Sequence, residues 1–91
     1  NNPLITPDEA NKISKNLFNA AVDASQGLDM GPYLTYAESV SKVRQDKEEF
    51  IKLLNEALKI DILSAKDFQL TNTISRNRAE WLLKNIDEFF Y

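Results

Sequence analysis

Apolar residues recur along this chain at the three- and four-residue spacing of amphipathic helices, and no segment bounded by turn residues alternates with period two. Ala10, Ile13, Leu17, Ala20, Ala21 and Ala24 form a first stripe, with Lys12, Lys15, Asn19 and Asp23 on other faces. Its start is marked by Thr6-Pro7-Asp8-Glu9, where a Thr N-cap, a Pro at the first helical position and a Glu three residues after the cap make a capping box. Gly27 suits the left-handed residue that closes such a helix, so the first element is expected over 6–26. Leu28 to Pro32 reads as a connection, and Pro32 as a first-turn residue of a second helix striped by Tyr33, Tyr36, Ala37, Val40 and Val43.

From Tyr33 to Tyr91 there is neither glycine nor proline, so later breaks must come from side-chain caps. Asp46-Lys47-Glu48-Glu49 supplies one, and a third helix follows with Phe50, Leu53, Leu54, Ala57 and Leu58 on one face and a Glu48–Lys52 pair on the wet side. Ser64-Ala65-Lys66-Asp67 repeats the cap signature for a fourth. Leu70, Ile74, Trp81, Leu82, Ile86 and Phe89 stripe that helix, and nothing stops it before the chain ends. The expected fold is all-α, about four helices in antiparallel hairpins. It forms one domain over 1–91, with an N-terminal helix over 6–26, a hairpin over 32–61 and a C-terminal capping helix over 64–90. Phe50, Leu54, Leu58, Ile74, Trp81 and Phe89 are its expected core.

Composition narrows the function. Ninety-one residues, 43% hydrophobic and 27% charged, describe one globular domain of modest stability. A net charge of −3 and a pI near 4.8, with no local cluster of Lys or Arg, oppose binding to nucleic acid. The chain has no Cys and no His, which removes the usual nucleophiles, general bases and transition-metal ligands. Neither enzymatic activity nor a cofactor or metal is expected. No apolar run approaches the roughly 18 residues a spanning helix needs. The first residue is Asn1 rather than Met, which points to a fragment of a longer, processed protein.

The hairpin over 32–61 resembles a tetratricopeptide unit, above all in Glu56-Ala57-Leu58-Lys59-Ile60-Asp61, although Ile62 stands where that repeat has proline. A broader resemblance runs through Gly31-Pro32-Tyr33, Ala37-Glu38-Ser39-Val40, Glu49-Phe50, Leu53-Leu54, Ala57-Leu58, Ile60-Asp61, Leu70, Asn72, Ile74, Arg76, Arg78-Ala79, Trp81-Leu82-Leu83, Ile86-Asp87-Glu88 and Phe89. In their order and spacing these blocks resemble the C-terminal part of the TRAP-transporter T-component family. Asn77 and Glu80 thin the arginine-rich turn the family tends to show there. The resemblance implies a periplasmic helical-repeat lipoprotein, auxiliary to a tripartite ATP-independent periplasmic transporter. Its implied partner is the transporter's solute-binding subunit. Homo-oligomers are a further possibility, and contact with a membrane would come only through an anchor outside this sequence.

Candidate site residues each have a functional and a structural reading. Tyr33 and Tyr36, one turn apart, either line a groove or form a packing corner against the first helix. Phe90 and Tyr91 fall off the apolar stripe and are the better candidates for an exposed partner contact. Glu38 and the arginines Arg76 and Arg78 are expected to form a structural brace, with an acidic ligand as the rival reading. Asn72 and Asn77 have poor helix propensity and are expected to bond a neighbouring loop carbonyl. Asp46, Glu48 and Glu49 are accounted for by the helix dipole. If the last helix keeps a polar far side of Lys66, Gln69, Ser75, Glu80, Lys84 and Asp87, the chain is instead a purely structural cap with no ligand.

Overall fold

A computed structural model describes residues 6–91. The fold is all-α: α1 spans Pro7–Ala24, α2 Gly31–Tyr36, α3 Lys47–Leu58 and α4 Gln69–Lys84, with no strand among the described residues. The Thr6 hydroxyl accepts from the Glu9 N–H at 3.1 Å, and the Asp46 carboxylate from the Glu49 N–H at 3.1 Å, so both capping signals act where the sequence put them. α1 closes through Gln26 and Gly27, both at positive φ (57° and 74°), with the Gly27 N–H reaching back to Val22 O. A β-carbon on Gly27 would meet nothing, so its value there is conformational rather than steric.

α2 is short because the chain widens after it. Ala37–Ser41 is a π-helical turn, in which Lys42 N–H bonds Ala37 O. Widening turns Ser41 inward, fully buried, and its hydroxyl donates to Glu49 Oε1 at 2.8 Å. Gln45, at φ 59°, then reverses the chain into α3. The core lies between α2, α3 and α4 and is built on Met30, Leu34, Phe50, Leu54 and Leu82. Ala37, Ala57 and Ala79 are buried completely and leave room for close backbone approach. α1 contributes no buried residue and rests chiefly on α2 through Phe18.

The fourth helix departs most from expectation. Ser64 does not cap it, because its hydroxyl donates to Asp61 Oδ2 at 2.7 Å; a 3₁₀ turn over Lys66–Phe68 intervenes and α4 starts at Gln69. Nor does it run to the end. Asn85 stops it, with both its backbone and side-chain N–H groups on Trp81 O, and Ile86–Glu88 is a separate 3₁₀ turn. Two expected core residues, Ile74 and Trp81, are instead 61% and 47% exposed. The inward face is set by Asn72, Ala79 and Leu82, which points Ile74 and Trp81 outward. Phe50 and Leu54 are fully buried, while Leu58 and Phe89 pack against the core from its edge.

Candidate binding groove

α1 and α2 do not close on each other. Between them lies an open cavity of about 500 Å³, walled by Leu17, Phe18, Ala21, Pro32, Tyr36 and Val40. Pockets of a few hundred Å³ lined by apolar side chains with a few polar groups are the usual form of a ligand or peptide site. Here the polar groups are Ser14, Thr35 and Ser39, with Asp29 at one end. The Asp29 carboxylate accepts from the Gly31 N–H at 2.9 Å, which fixes that end at the start of α2.

An aromatic corner holds the floor of the groove. Phe18 meets Tyr33 edge-on at 5.3 Å and Tyr36 tilted at 5.2 Å, and the Lys15 ammonium lies 5.2 Å from the Tyr36 ring. Tyr36 is buried, so its contribution to the groove is a ring wall and not an exposed anchor. Its hydroxyl pKa is raised, first by burial and then by the Glu49 carboxylate, with Arg44 opposing. Tyr33 is half-buried and lines a smaller pocket of about 210 Å³ with Lys15, Glu49 and Lys52.

The C-terminal aromatics divide. Phe90 is not a free contact as expected: its ring packs edge-on against Phe50 at 5.1 Å, because the 3₁₀ turn folds the tail back over the core. Tyr91 is fully exposed. The Gln45 amide clamps the backbone between them, donating to Phe89 O at 2.9 Å and accepting from the Tyr91 N–H at 3.0 Å.

Glu38 and Arg78 meet in a two-point ion pair, Nη2 to Oε1 at 2.6 Å and Nε to Oε2 at 3.4 Å, and Arg78 also lies over the Trp81 ring at 5.1 Å. The Glu38 bond is the first cause of a raised Arg78 pKa. Arg76 does not join the brace. Two residues before Arg78, it projects from nearly the opposite side of the helix and is exposed, with no ion pair among the described residues. Asn72 acts as anticipated: completely buried, it donates to Leu28 O at 2.8 Å and accepts from the Met30 N–H at 2.9 Å, pinning the α1–α2 loop to α4. Asn77, expected to do likewise, is exposed.

The solvent side of α4 carries Gln69, Glu80 and Lys84 of the expected polar side, all exposed, but it carries apolar residues as well. Leu70, Ile74 and Trp81 stand on it, with Asn77 and Lys84 on the same line. Sequence reasoning missed this second stripe because it merged two. Leu70, Ile74, Asn77, Trp81 and Lys84 follow one 4-3-4-3 spacing, whereas Asn72, Ser75, Ala79, Leu82 and Ile86 follow another on the opposite side. The inward turn of Ser41 and the bonds of the exposed Gln45 to the tail were missed as well, because they depend on a π turn and a tail fold that no local signal announces.

Residues 10–90 match the sequence model of the family described as TRAP transporter T-component. The chain belongs to the TRAP transporter T-component family. The match takes in the groove, the Glu38–Arg78 pair and both stripes of α4. No curated protein and no solved structure matches the chain. T-components are accessory to a transporter rather than a known enzyme family, and membership gives this chain an auxiliary role in a TRAP transporter. No helix among the described residues is long and apolar enough to cross a membrane.

Proposed function

We propose that this T-component is a helical-repeat binding and scaffold module of tetratricopeptide type, which works in the periplasm and contacts the solute-binding subunit of its transporter. The observation that carries this reading is the groove between α1 and α2, apolar along its walls and open to solvent. A segment of the partner would lay apolar side chains against Phe18, Pro32 and Val40 and set polar groups on Thr35, Ser39 and Asp29. The periplasmic location and anchoring as a lipoprotein follow from the family resemblance. Catalysis has no part in this reading, since the chain lacks Cys and His.

Binding of the purified chain to the solute-binding subunit of the same transporter, followed by calorimetry, tests this. Thr35 is exposed at the groove, so Thr35→Arg fills it without touching the core. The expected result is binding by the unaltered chain and its loss in Thr35→Arg. Failure of the unaltered chain to bind, or equal binding by the variant, overturns the proposal.

A further inference from the structure

The groove between α1 and α2 is neutral along its walls and charged at one end only. Asp29 is the one ionised side chain that lines it among the described residues, in company with the hydroxyls of Ser14, Thr35 and Ser39. Its carboxylate is held in place. Oδ1 accepts from the Gly31 N–H at 2.9 Å, and a β-carbon at position 31 would come to 3.1 Å from that oxygen, so glycine is what lets the carboxylate lie against the start of α2. The Asp29 N–H donates in turn to Ser25 Oγ at 3.3 Å. Capping of α2 accounts for Oδ1 alone, and an asparagine would cap as well. The negative charge has no such account, since Asp29 forms no ion pair among the described residues. Lys15, which follows Ser14 on α1, lies over the Phe18 and Tyr36 rings instead.

We infer that the partner segment entering this groove carries a lysine, whose ammonium sits on Asp29 Oδ2 and sets the direction in which the segment lies. This rests on the reading of the groove as a partner site. An unpaired carboxylate at the end of an apolar groove favours a cation and rejects an acid. Because Oδ1 is already engaged, Oδ2 offers a single point of contact, which suits a compact ammonium better than the two-pronged guanidinium of an arginine. From Pro32 beside Asp29 to Val40 at the far end, the α2 wall runs about 12 Å at helical rise. That holds about three or four residues of an extended segment. Side chains of such a segment alternate, so a lysine at one end and an apolar residue two positions away point the same way. The apolar residue then meets Phe18 and Val40, while Thr35 and Ser39, both exposed, bond the segment's backbone. A net charge of −3 draws a cationic segment toward the chain as a whole.

Three short peptides test this on the unaltered chain: acetyl-Lys-Ala-Leu-amide and its two counterparts with norleucine or glutamate in place of the lysine, each followed through the amide shifts of the protein. Asp29→Asn removes the charge and keeps an oxygen for the Gly31 N–H, so α2 stays capped, which circular dichroism checks. The lysine peptide is expected to move the amides of Thr35, Ser39 and Val40 and to bind about fivefold tighter than the norleucine peptide, the scale of a half-exposed ion pair, with the glutamate peptide weakest. In Asp29→Asn the advantage of lysine over norleucine should vanish, and in the unaltered chain raised salt should reduce it. Equal binding of the lysine and norleucine peptides, an advantage that survives in Asp29→Asn, shifts confined to other surfaces, or no binding of the lysine peptide each overturns the inference. Calorimetry with the solute-binding subunit keeps the two readings apart. A subunit that loses binding in Thr35→Arg but binds Asp29→Asn as tightly as the unaltered chain sinks the lysine and keeps the groove. A subunit that does not bind while the lysine peptide does removes that partner and keeps the lysine contact.

Discussion

Asn72 is the residue on which most depends. Its side chain replaces two backbone partners for the loop between α1 and α2, and it does so with no exposure to solvent. Asn72→Ala strands a buried N–H and a part-buried carbonyl, and the expected loss is about 3 kcal/mol in urea unfolding. Asn72→Leu should be no better, since shape is restored but neither bond is. The Glu38–Arg78 pair is a different case: its atoms are close, yet Arg78 is half exposed and the gain is screened. A double-mutant cycle with Glu38→Ala and Arg78→Ala is expected to give a coupling of no more than about 1 kcal/mol, and strict additivity would remove the brace altogether. Helix propensity pointed to Asn72, because an asparagine inside a helix asks for a bond outside it. It pointed equally to Asn77, and only the second stripe of α4 separates the two.

Among the elements, side-chain caps were readable where the capping oxygen was unclaimed and unreadable where another side chain took it. Asp46 caps α3 because nothing else claims its carboxylate, whereas the Ser64 hydroxyl is taken by Asp61. Asp61 in turn accepts the Ser64 hydroxyl and the Leu63 N–H, which together lower its pKa, the Ser64 bond first. A lowered carboxylate pKa stabilises the folded state above the unfolded value, and that contribution fades as pH falls through the folded one. Asp61→Asn should therefore destabilise the chain at neutral pH and converge with the unaltered chain in acid, as thermal melts across pH would show. Unequal melts in strong acid would contradict this. The helical period was legible for α3, whose apolar face is single. For α4 it was not, since a helix apolar on two opposite sides yields a stripe on either choice.

At the level of the molecule, burial is concentrated away from α1. Phe50, Leu54 and Leu82 are sealed between α2, α3 and α4, while α1 holds on by Phe18 and the loop that Asn72 pins. Native-state hydrogen exchange should find α1 amides opening well before those of α3. Equal protection in both helices would show that the groove wall is as firm as the core. The number and class of helices could be read from the chain because capping and periodicity are local. Which face of an end helix meets solvent could not, because that is decided by partners outside the helix.

Trp81 carries a practical consequence. It is the chain's only tryptophan, it is half exposed on α4, and Arg78 and Phe89 flank its ring. Its indole therefore samples the outward side of α4. The intrinsic fluorescence of this protein is thus a built-in optical label for one end of the array: emission should sit toward the red for the isolated chain and shift to the blue when that end is covered.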